Sequence, residues 1–373
     1  MRQWLTAAMI TAGVGLAGCS GGGSATNLAP AAATSGPTAQ ATPAVAGDAT
    51  EDPSASDAAP VEGAEPLVVY SGRSESLVGP LVERFRAASG LDVEVRWGDT
   101  GELAATLLEE GERSPADVFF AQDPGGLGAV RDLLAPLPDD LLSEVGERFR
   151  DPEGRWIGVS GRARVVVYNT EHLDEAALPA DVRGFVDPAW RGRLGWAPTN
   201  ASFQTMVTAM RAAWGDDETL AWLRGIAANE PASFDGNAPI VAAVGAGEID
   251  AGFVNHYYLY RFLAEEGESF PARNHFMNNG GPDALVMVAG AGVLASSTRP
   301  DAAERFVRFL VGEEAQAYFA DETHEYPVRV GLNLALAPGL PPIETLAAPQ
   351  VDVADLADLR GTQDLLREAG VLP

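Results

Sequence analysis

The chain has 373 residues and a formal net charge of −28, from 53 acidic and 25 basic residues. Every basic residue is arginine. Without lysine there is no Walker-type phosphate loop, no Schiff-base lysine and no pyridoxal linkage, and so acidic a chain is a poor partner for nucleic acid. Cys19 is the only cysteine, so no other thiol can form a disulfide, a zinc site or a nucleophile.

Arg2 gives a positive start, and Trp4 to Leu16 is a short apolar stretch. Leu16-Ala17-Gly18-Cys19 follows as a small-residue cleavage site. An apolar run this short predicts a signal peptide over 1–19, not a spanning helix. It resembles a bacterial lipoprotein signal, which implies a lipid on Cys19. Ser20 to Pro66 is rich in Ala, Gly, Ser, Thr and Pro, with six acidic residues and no basic one. Such a segment buries too little apolar surface to offset its chain entropy, and reads as a flexible tether over 20–66. The expectation is an extracytoplasmic protein, lipid-anchored to the cell membrane, in the periplasm or at the cell surface.

From Leu67 on, 307 residues remain, enough for two lobes with separate cores. Leu67-Val68-Val69-Tyr70 is an apolar strand, stopped at Ser71-Gly72. In Ser76 to Ala88, Leu77, Leu81, Phe85 and Ala88 share a helical face. Gly90 ends that helix, and Leu91 to Val95 alternates as a strand. A helix over Glu102 to Glu110 and a strand over Asp117 to Phe120 follow. Strand, helix, strand, helix, strand is the mark of a doubly wound sheet.

Arg164 to Tyr168 is a β-rich run that opens a second αβ series. It predicts helices over Phe203 to Trp214, Thr219 to Ala227 and Pro239 to Ala246, then a strand over Ile249 to Val254. Leu285 to Ala289 is a further apolar strand, followed by Gly290-Ala291-Gly292 and a helix over Asp301 to Val311. The reading places an N-terminal lobe at 67–161 plus about 286–337. A C-terminal lobe takes about 162–285 plus 338–373, with helices near Ile343 to Val371 wrapping back. Two crossing strands form a hinge above a cleft.

In open α/β sheets, ligands sit beyond the carboxyl ends of the strands. Those ends carry Ser71-Gly72-Arg73-Ser74, Ala121-Gln122-Asp123, Thr199-Asn200-Ala201-Ser202 and Asn255-His256-Tyr257-Tyr258. The doublet Tyr257-Tyr258 is the most informative of them. Two phenolates are hard, anionic oxygen ligands of the kind a small trivalent cation such as ferric iron prefers. Taken without context, such a doublet is more often packing.

Several segments in order give that context: Val69-Tyr70-Ser71-Gly72-Arg73, Ser114-Pro115-Ala116-Asp117-Val118-Phe119, and Ser160 to Asn169. Asn255-His256-Tyr257-Tyr258, Gly290-Ala291-Gly292 and Glu325-Tyr326-Pro327-Val328 complete the series. Together they resemble the ferric-iron substrate-binding proteins of bacterial ABC transporters over residues 67–373. The resemblance implies a two-lobed α/β fold, the type II periplasmic-binding-protein fold, each lobe a mixed sheet flanked by helices. It implies a monomer that is not an enzyme, holds Fe(III) through Tyr257 and Tyr258, and hands it to ABC permease subunits. It also implies a synergistic anion at the loop Asn200-Ala201-Ser202, with Asn255 beside it.

The chain departs from that pattern in three places. Some relatives supply a histidine where Ser74 stands, a glutamate where Gln122 stands, or a third tyrosine where Ser202 stands. Two protein ligands then leave an octahedral ion about four oxygens short. The chain looks more like the members that complete the shell with a carbonate or bicarbonate anion; phosphate or citrate could substitute. Arg73 and Arg162 are candidate anion partners, because a guanidinium fork matches a planar oxyanion, though either could instead form a surface or interlobe salt bridge.

Other candidates carry less. His172, His256, His275 and His324 are scattered without zinc-ligand spacing, and His256 is expected to point away from the tyrosines. Tyr260 reads as core, and Asp99 and Glu102 as surface residues near the cleft mouth. No Gly-x-Ser-x-Gly elbow is present. The alternative cargoes are thiamine, a polyamine or a small phosphorylated anion. The alternative of another class is an extracellular hydrolase, since carboxylate pairs abound in so acidic a chain.

Overall fold

The structure is a computed structural model. It describes residues 65–373 apart from 348, 350, 352–354 and 357. Residues 1–64, with Cys19, the leader and nearly all of the tether, lie outside the described residues.

The first series is β1 (Leu67–Ser71), α1 (Glu75–Ser89), β2 (Val93–Trp97), α2 (Thr100–Glu110), β3 (Val118–Ala121), α3 (Pro124–Ala129) and α4 (Asp139–Ser143). β1 lies between β2 and β3, parallel to both, in the register Leu67 to Val93 and Val69 to Val118. The sequence supplies the helix starts. Asp99 and Asp123 cap α2 and α3 by accepting the amides of Gly101 and Gly126. Gly90 ends α1 with φ +66°, a conformation that favours glycine. Gly72 is required by crowding: a Cβ there would lie 1.9 Å from Thr100 Oγ1. The β1–α1 turn is thereby drawn against the start of α2.

β4 (Ile157–Asn169) is the longest strand, thirteen residues and buried throughout. The sequence predicts only its second half. Gly158, Ser160, Gly161 and Arg162 have weak strand propensity, and pairing with β9 overrides it. The second series is β5 (Leu194–Trp196), α5 (Ala201–Trp214), α6 (Asp216–Ala228), β6 (Ala232–Ser233), α7 (Asn237–Gly245), β7 (Ala251–Asn255), α8 (Tyr257–Glu266) and β8 (Ala272–His275). β9 (Val286–Val293), α9 (Pro300–Val311), α10 (Glu313–Asp321) and α11 (Leu359–Glu368) complete the chain.

β9 runs antiparallel between β3 and β4. It includes Gly290-Ala291-Gly292, which the sequence places after the strand. These glycines are inside because the sheet is crowded there. A Cβ at Gly290 would fall 2.9 Å from Ile157 O, and one at Gly292 would fall 3.0 Å from Arg155 O. The first half of β4 pairs β9, and its second half pairs β7 and β8. β4 therefore belongs to both sheets.

Val69, Phe119, Phe306 and Leu310 are fully buried about the first sheet. An aromatic nest fills the second core: Phe253 meets Phe185 at 5.6 Å and Trp222 at 5.8 Å, both edge-on. The C-terminal helix α11 packs on α5 and α6, burying Leu365 and Leu366. Thr208 and Thr362 join hydroxyls at 2.8 Å beneath it. No described helix is long and apolar enough to cross a membrane.

Candidate metal centre

β7 ends at Asn255, and α8 begins at Tyr257. His256, between them, is fully buried. Its Nδ1 accepts the Ala163 amide at 3.1 Å, and its Nε2 donates to the His324 carbonyl at 2.8 Å. Burial pulls its pKa down to about 4. A neutral ring with both nitrogens committed to backbone is a clamp, not a ligand.

The clamp fixes the doublet. Tyr257 is 2% exposed and Tyr258 half-buried, and their rings stack at 4.4 Å with 27° between planes. Tyr70, Tyr318 and Tyr326 each commit their hydroxyl to a protein acceptor. Among the described residues, neither Tyr257 nor Tyr258 does. Burial, then Tyr258 and Glu325, push the Tyr257 phenol well above its ordinary value, against the pull of Arg162 and Arg73. Tyr260 lies in the core margin instead, its phenol pushed up to about 12 by burial and then by Glu268.

Three arginines are buried beside these tyrosines: Arg73 from the β1–α1 turn, and Arg162 and Arg164 from β4. Two residues apart on a strand, the latter two share a face. Arg73 Nη2 donates to both carboxylate oxygens of Glu325, at 2.9 and 3.0 Å. Arg162 Nε is 3.9 Å from Glu325 Oε1, beyond hydrogen-bond length. Arg164 Nη1 donates to Ser202 Oγ, Asn237 Oδ1 and Asn255 Oδ1 at 3.2, 3.2 and 3.0 Å. Among the described residues, these three leave seven buried guanidinium nitrogens without a partner: two on Arg73, three on Arg162 and two on Arg164.

Their electrostatics differ. Burial lowers the Arg73 pKa, but Glu325 and Tyr257 outweigh it and the net shift is upward. Arg162 is lowered by burial and by Arg73. Arg164 falls to about 9, by burial first and then by Arg162, although the tyrosines oppose the shift. Asp123, near Arg162, is raised by its own burial. A buried cation this poorly compensated favours an anion brought from outside.

The other expected residues divide. Asn200, Ser202 and Asn255 join the Arg164 network: Asn200 Oδ1 accepts the Ser202 amide at 3.1 Å and Asn237 Nδ2 at 3.2 Å. The Asn200 amide is tied to Ala197 O, so it is not free to meet an anion; the Ala201 amide makes no such bond. Gln122 is half-buried, and its amide donates to Thr100 Oγ1 at 3.0 Å. Ser74 is exposed and its hydroxyl meets Ser76, 3.2 Å away. Asp99 is spent as a cap, and Glu102 is exposed.

Sequence reasoning missed Arg164, Asn237 and Glu325 as parts of this centre. Arg164 was legible from the Arg-x-Arg spacing in a strand. Asn237 had no local signal, because its amide side chain closes the network only once α7 packs beside β7. Among the described residues, no group of three His, Cys, Asp or Glu could hold a metal.

Two α/β lobes that share β4, with a buried polar centre at strand ends and helix starts, define a type II periplasmic-binding-protein fold. The sequence pattern of the bacterial extracellular solute-binding proteins matches residues 114–355. The chain is 36% identical to the Fe(3+)-binding periplasmic protein of Serratia marcescens over 310 residues, covering 82% of this chain and 90% of that one. Iron-bound HitA from Pseudomonas aeruginosa superposes with a TM-score of 0.77 at 35% identity, over 82% of this chain and 99% of that one. A Trichodesmium protein, IdiA or FutA, in complex with iron and citrate ligands, superposes at 0.70 with 25% identity, covering 82% and 99%. The chain belongs to the bacterial extracellular solute-binding proteins. It is therefore a transport receptor and not an enzyme, it works outside the cytoplasm, and its partners are ABC permease subunits. The hydrolase alternative falls with that assignment.

Proposed function

We propose that this receptor captures Fe(III) through the phenolates of Tyr257 and Tyr258 and delivers it to an ABC permease. The observation that carries the reading is a stacked pair of tyrosines with unbonded hydroxyls beside buried guanidinium nitrogens that lack partners. Two phenolates neutralise two of three metal charges and fill two coordination positions. A synergistic anion, carbonate or bicarbonate, with phosphate or citrate as substitutes, completes the shell. Arg73, Arg162 and Arg164 hold it, with Ser202, Asn255 and the Ala201 amide at its edge. The lobes at 67–161 with 286–337 and at 162–285 with 338–373 close over this cargo. A lipid on Cys19 keeps a monomeric receptor at the membrane.

Adding ferric iron and bicarbonate to iron-free protein tests the reading. A tyrosinate-to-iron charge-transfer band appears in the visible, with one iron per chain by elemental analysis. A colourless, iron-free product sinks it. Arg73→Ala should weaken iron retention without removing a ligand. Full affinity in anion-depleted buffer would mean that protein side chains finish the shell.

A second cargo is favoured by one feature. The guanidinium cluster suits a small phosphorylated anion bound without metal. Thiamine and polyamines are cations, and three buried arginines oppose them. Phosphorus in the purified protein with no iron would select the phosphorylated cargo.

A further inference from the structure

The chain leaves α10 at Asp321 and comes beside β4 at Tyr326. On this path Thr323, Glu325 and Tyr326 are buried and His324 is half-buried. Among the described residues, His324 and Glu230 alone combine a side chain with a positive φ, +55° and +51°. Glu230 is exposed just beyond α6. His324 stands instead between buried neighbours, where a left-handed residue other than glycine calls for a reason.

The reason lies in what the turn delivers. The His324 carbonyl accepts His256 Nε2 at 2.8 Å. Glu325, the next residue, presents its carboxylate to Arg73. Thr323 Oγ1 steadies that carboxylate at 3.3 Å, and the Glu325 amide is held by Phe319 O at 2.8 Å. Tyr326 then exchanges both backbone bonds with Gly161 of β4, at 2.7 and 2.8 Å. Three consecutive residues thus reach the peptide beside the tyrosine doublet, a buried arginine of the same centre, and the strand shared by both sheets. His256 is fixed at its backbone as well: its amide donates to Ala163 O at 3.0 Å, and its carbonyl accepts Asn274 Nδ2 at 2.8 Å. A change of backbone at position 324 finds little slack at either end, and it moves the His256 and Arg73 contacts together.

We propose that His324 is a positioning residue for cargo retention: its left-handed backbone holds the Tyr257-Tyr258 doublet and Arg73 in one register, through His256 and Glu325. The metal side and the anion side of the centre are then set by a single turn, and loss of the turn loosens both. The inference rests on the iron reading above. It assigns the role to the backbone conformation. Asparagine tolerates the left-handed region, whereas β-branched valine does not.

The test challenges iron-loaded protein with EDTA and follows the decay of the visible band. His324→Val should release iron about 10–100-fold faster, the range for losing an outer partner of a metal ligand, with its band displaced. His324→Asn should keep the rate and band of the wild type. His256→Phe keeps the turn and a ring but removes the link, and should speed release to a similar degree. The double variant His256→Phe, His324→Val should release iron no faster than the faster single variant, because both break one connection. Equal rates for the asparagine and valine variants, additive effects in the double variant, or a valine variant that melts earlier in urea yet releases iron at the wild-type rate would each overturn the proposal. Where the valine variant does not fold, an unchanged rate in His256→Phe overturns it. A wild-type protein that takes up no iron removes the iron reading and this inference with it; a coloured wild type whose variants all release alike removes this inference alone.

Discussion

The two sides of the polar centre bury the same residue type and treat it in opposite ways. Arg73 faces a carboxylate, Glu325, and its charge is reinforced. Arg164 faces only a serine and two amides, and its pKa falls to about 9. Arg162, between them on β4, reaches neither group within hydrogen-bond length. One side is a closed ion pair; the other is a cation held by dipoles. A closed pair offsets its own desolvation, whereas an uncompensated cation destabilises the fold until an anion arrives. On the proposed reading, Arg73 offers the anion only the nitrogens that Glu325 leaves free, and Arg164 offers a charge that no carboxylate pairs.

The largest expected effect breaks the centre at its middle. Tyr257→Phe and Tyr258→Phe keep the rings and remove the oxygens. Each should lower iron affinity by more than the roughly 10–100-fold typical of losing an outer partner, with the visible band gone. Folding should hold, because neither hydroxyl bonds a protein group and the rings keep their packing. Urea melts with a large stability loss would instead make the doublet a packing pair. Wild-type iron affinity should also fall with pH. The Tyr257 phenol is raised by burial, so binding must expel a proton, and each proton released weakens binding about tenfold per pH unit lost. A flat profile from neutral to mildly acidic pH would exclude phenolate ligation.

Next in size is Glu325→Gln. It leaves Arg73 buried without its carboxylate, removes a charge that also offsets Arg162, and should destabilise the iron-free fold by about 3–5 kcal/mol in urea unfolding. A loss under 1 kcal/mol would show that water or amides already compensate the cluster.

Much of this was legible in the sequence, for local reasons. Helix faces such as Leu81 and Phe85, the helix stop at Gly90, and alternation in β2 depend on neighbours in the chain. The order of αβ units then leads to the fold. What escaped depends on distant partners. Ile157 to Ala163 is strand because β9 lies beside it, and Gly290 and Gly292 are strand because bulk will not fit. Glu325 joins Arg73 across 252 positions, and no window of sequence contains both. The tyrosine doublet was visible as a pair, but the arginines around it acquire meaning only from their missing partners.

A third effect of about 3 kcal/mol separates the clamp from the charges. His256 holds the carbonyl of His324, next to Glu325, and must be neutral to accept the Ala163 amide. Its pKa drops from 6.5 in the unfolded chain to about 4 in the fold. Above 6.5 neither state carries the proton, and stability is full. Between 6.5 and 4 only the unfolded chain takes it up, so stability falls as pH falls, by about 1.4 kcal/mol per unit. Iron-free His256→Gln should lose this slope. An unchanged slope in the variant would assign the acid sensitivity to other groups.

The smallest effect on stability sharpens the comparison most. Arg164→Met removes a cation that no carboxylate pairs. Asn237 Oδ1 keeps the Asn255 amide at 2.9 Å, and Ser202 Oγ keeps Asn200 Oδ1. Only Asn255 Oδ1 loses its donor, at about 1–3 kcal/mol. Relief of the desolvated charge offsets much of that, and the net change should stay within about 1 kcal/mol. Anion-dependent iron affinity should still fall about tenfold, the share of one charge-assisted contact. If Arg164→Met instead unfolds the protein as far as Glu325→Gln does, the amides of Asn237 and Asn255 already satisfy that arginine. The demand for an anion would then rest on Arg162, whose three nitrogens have no partner.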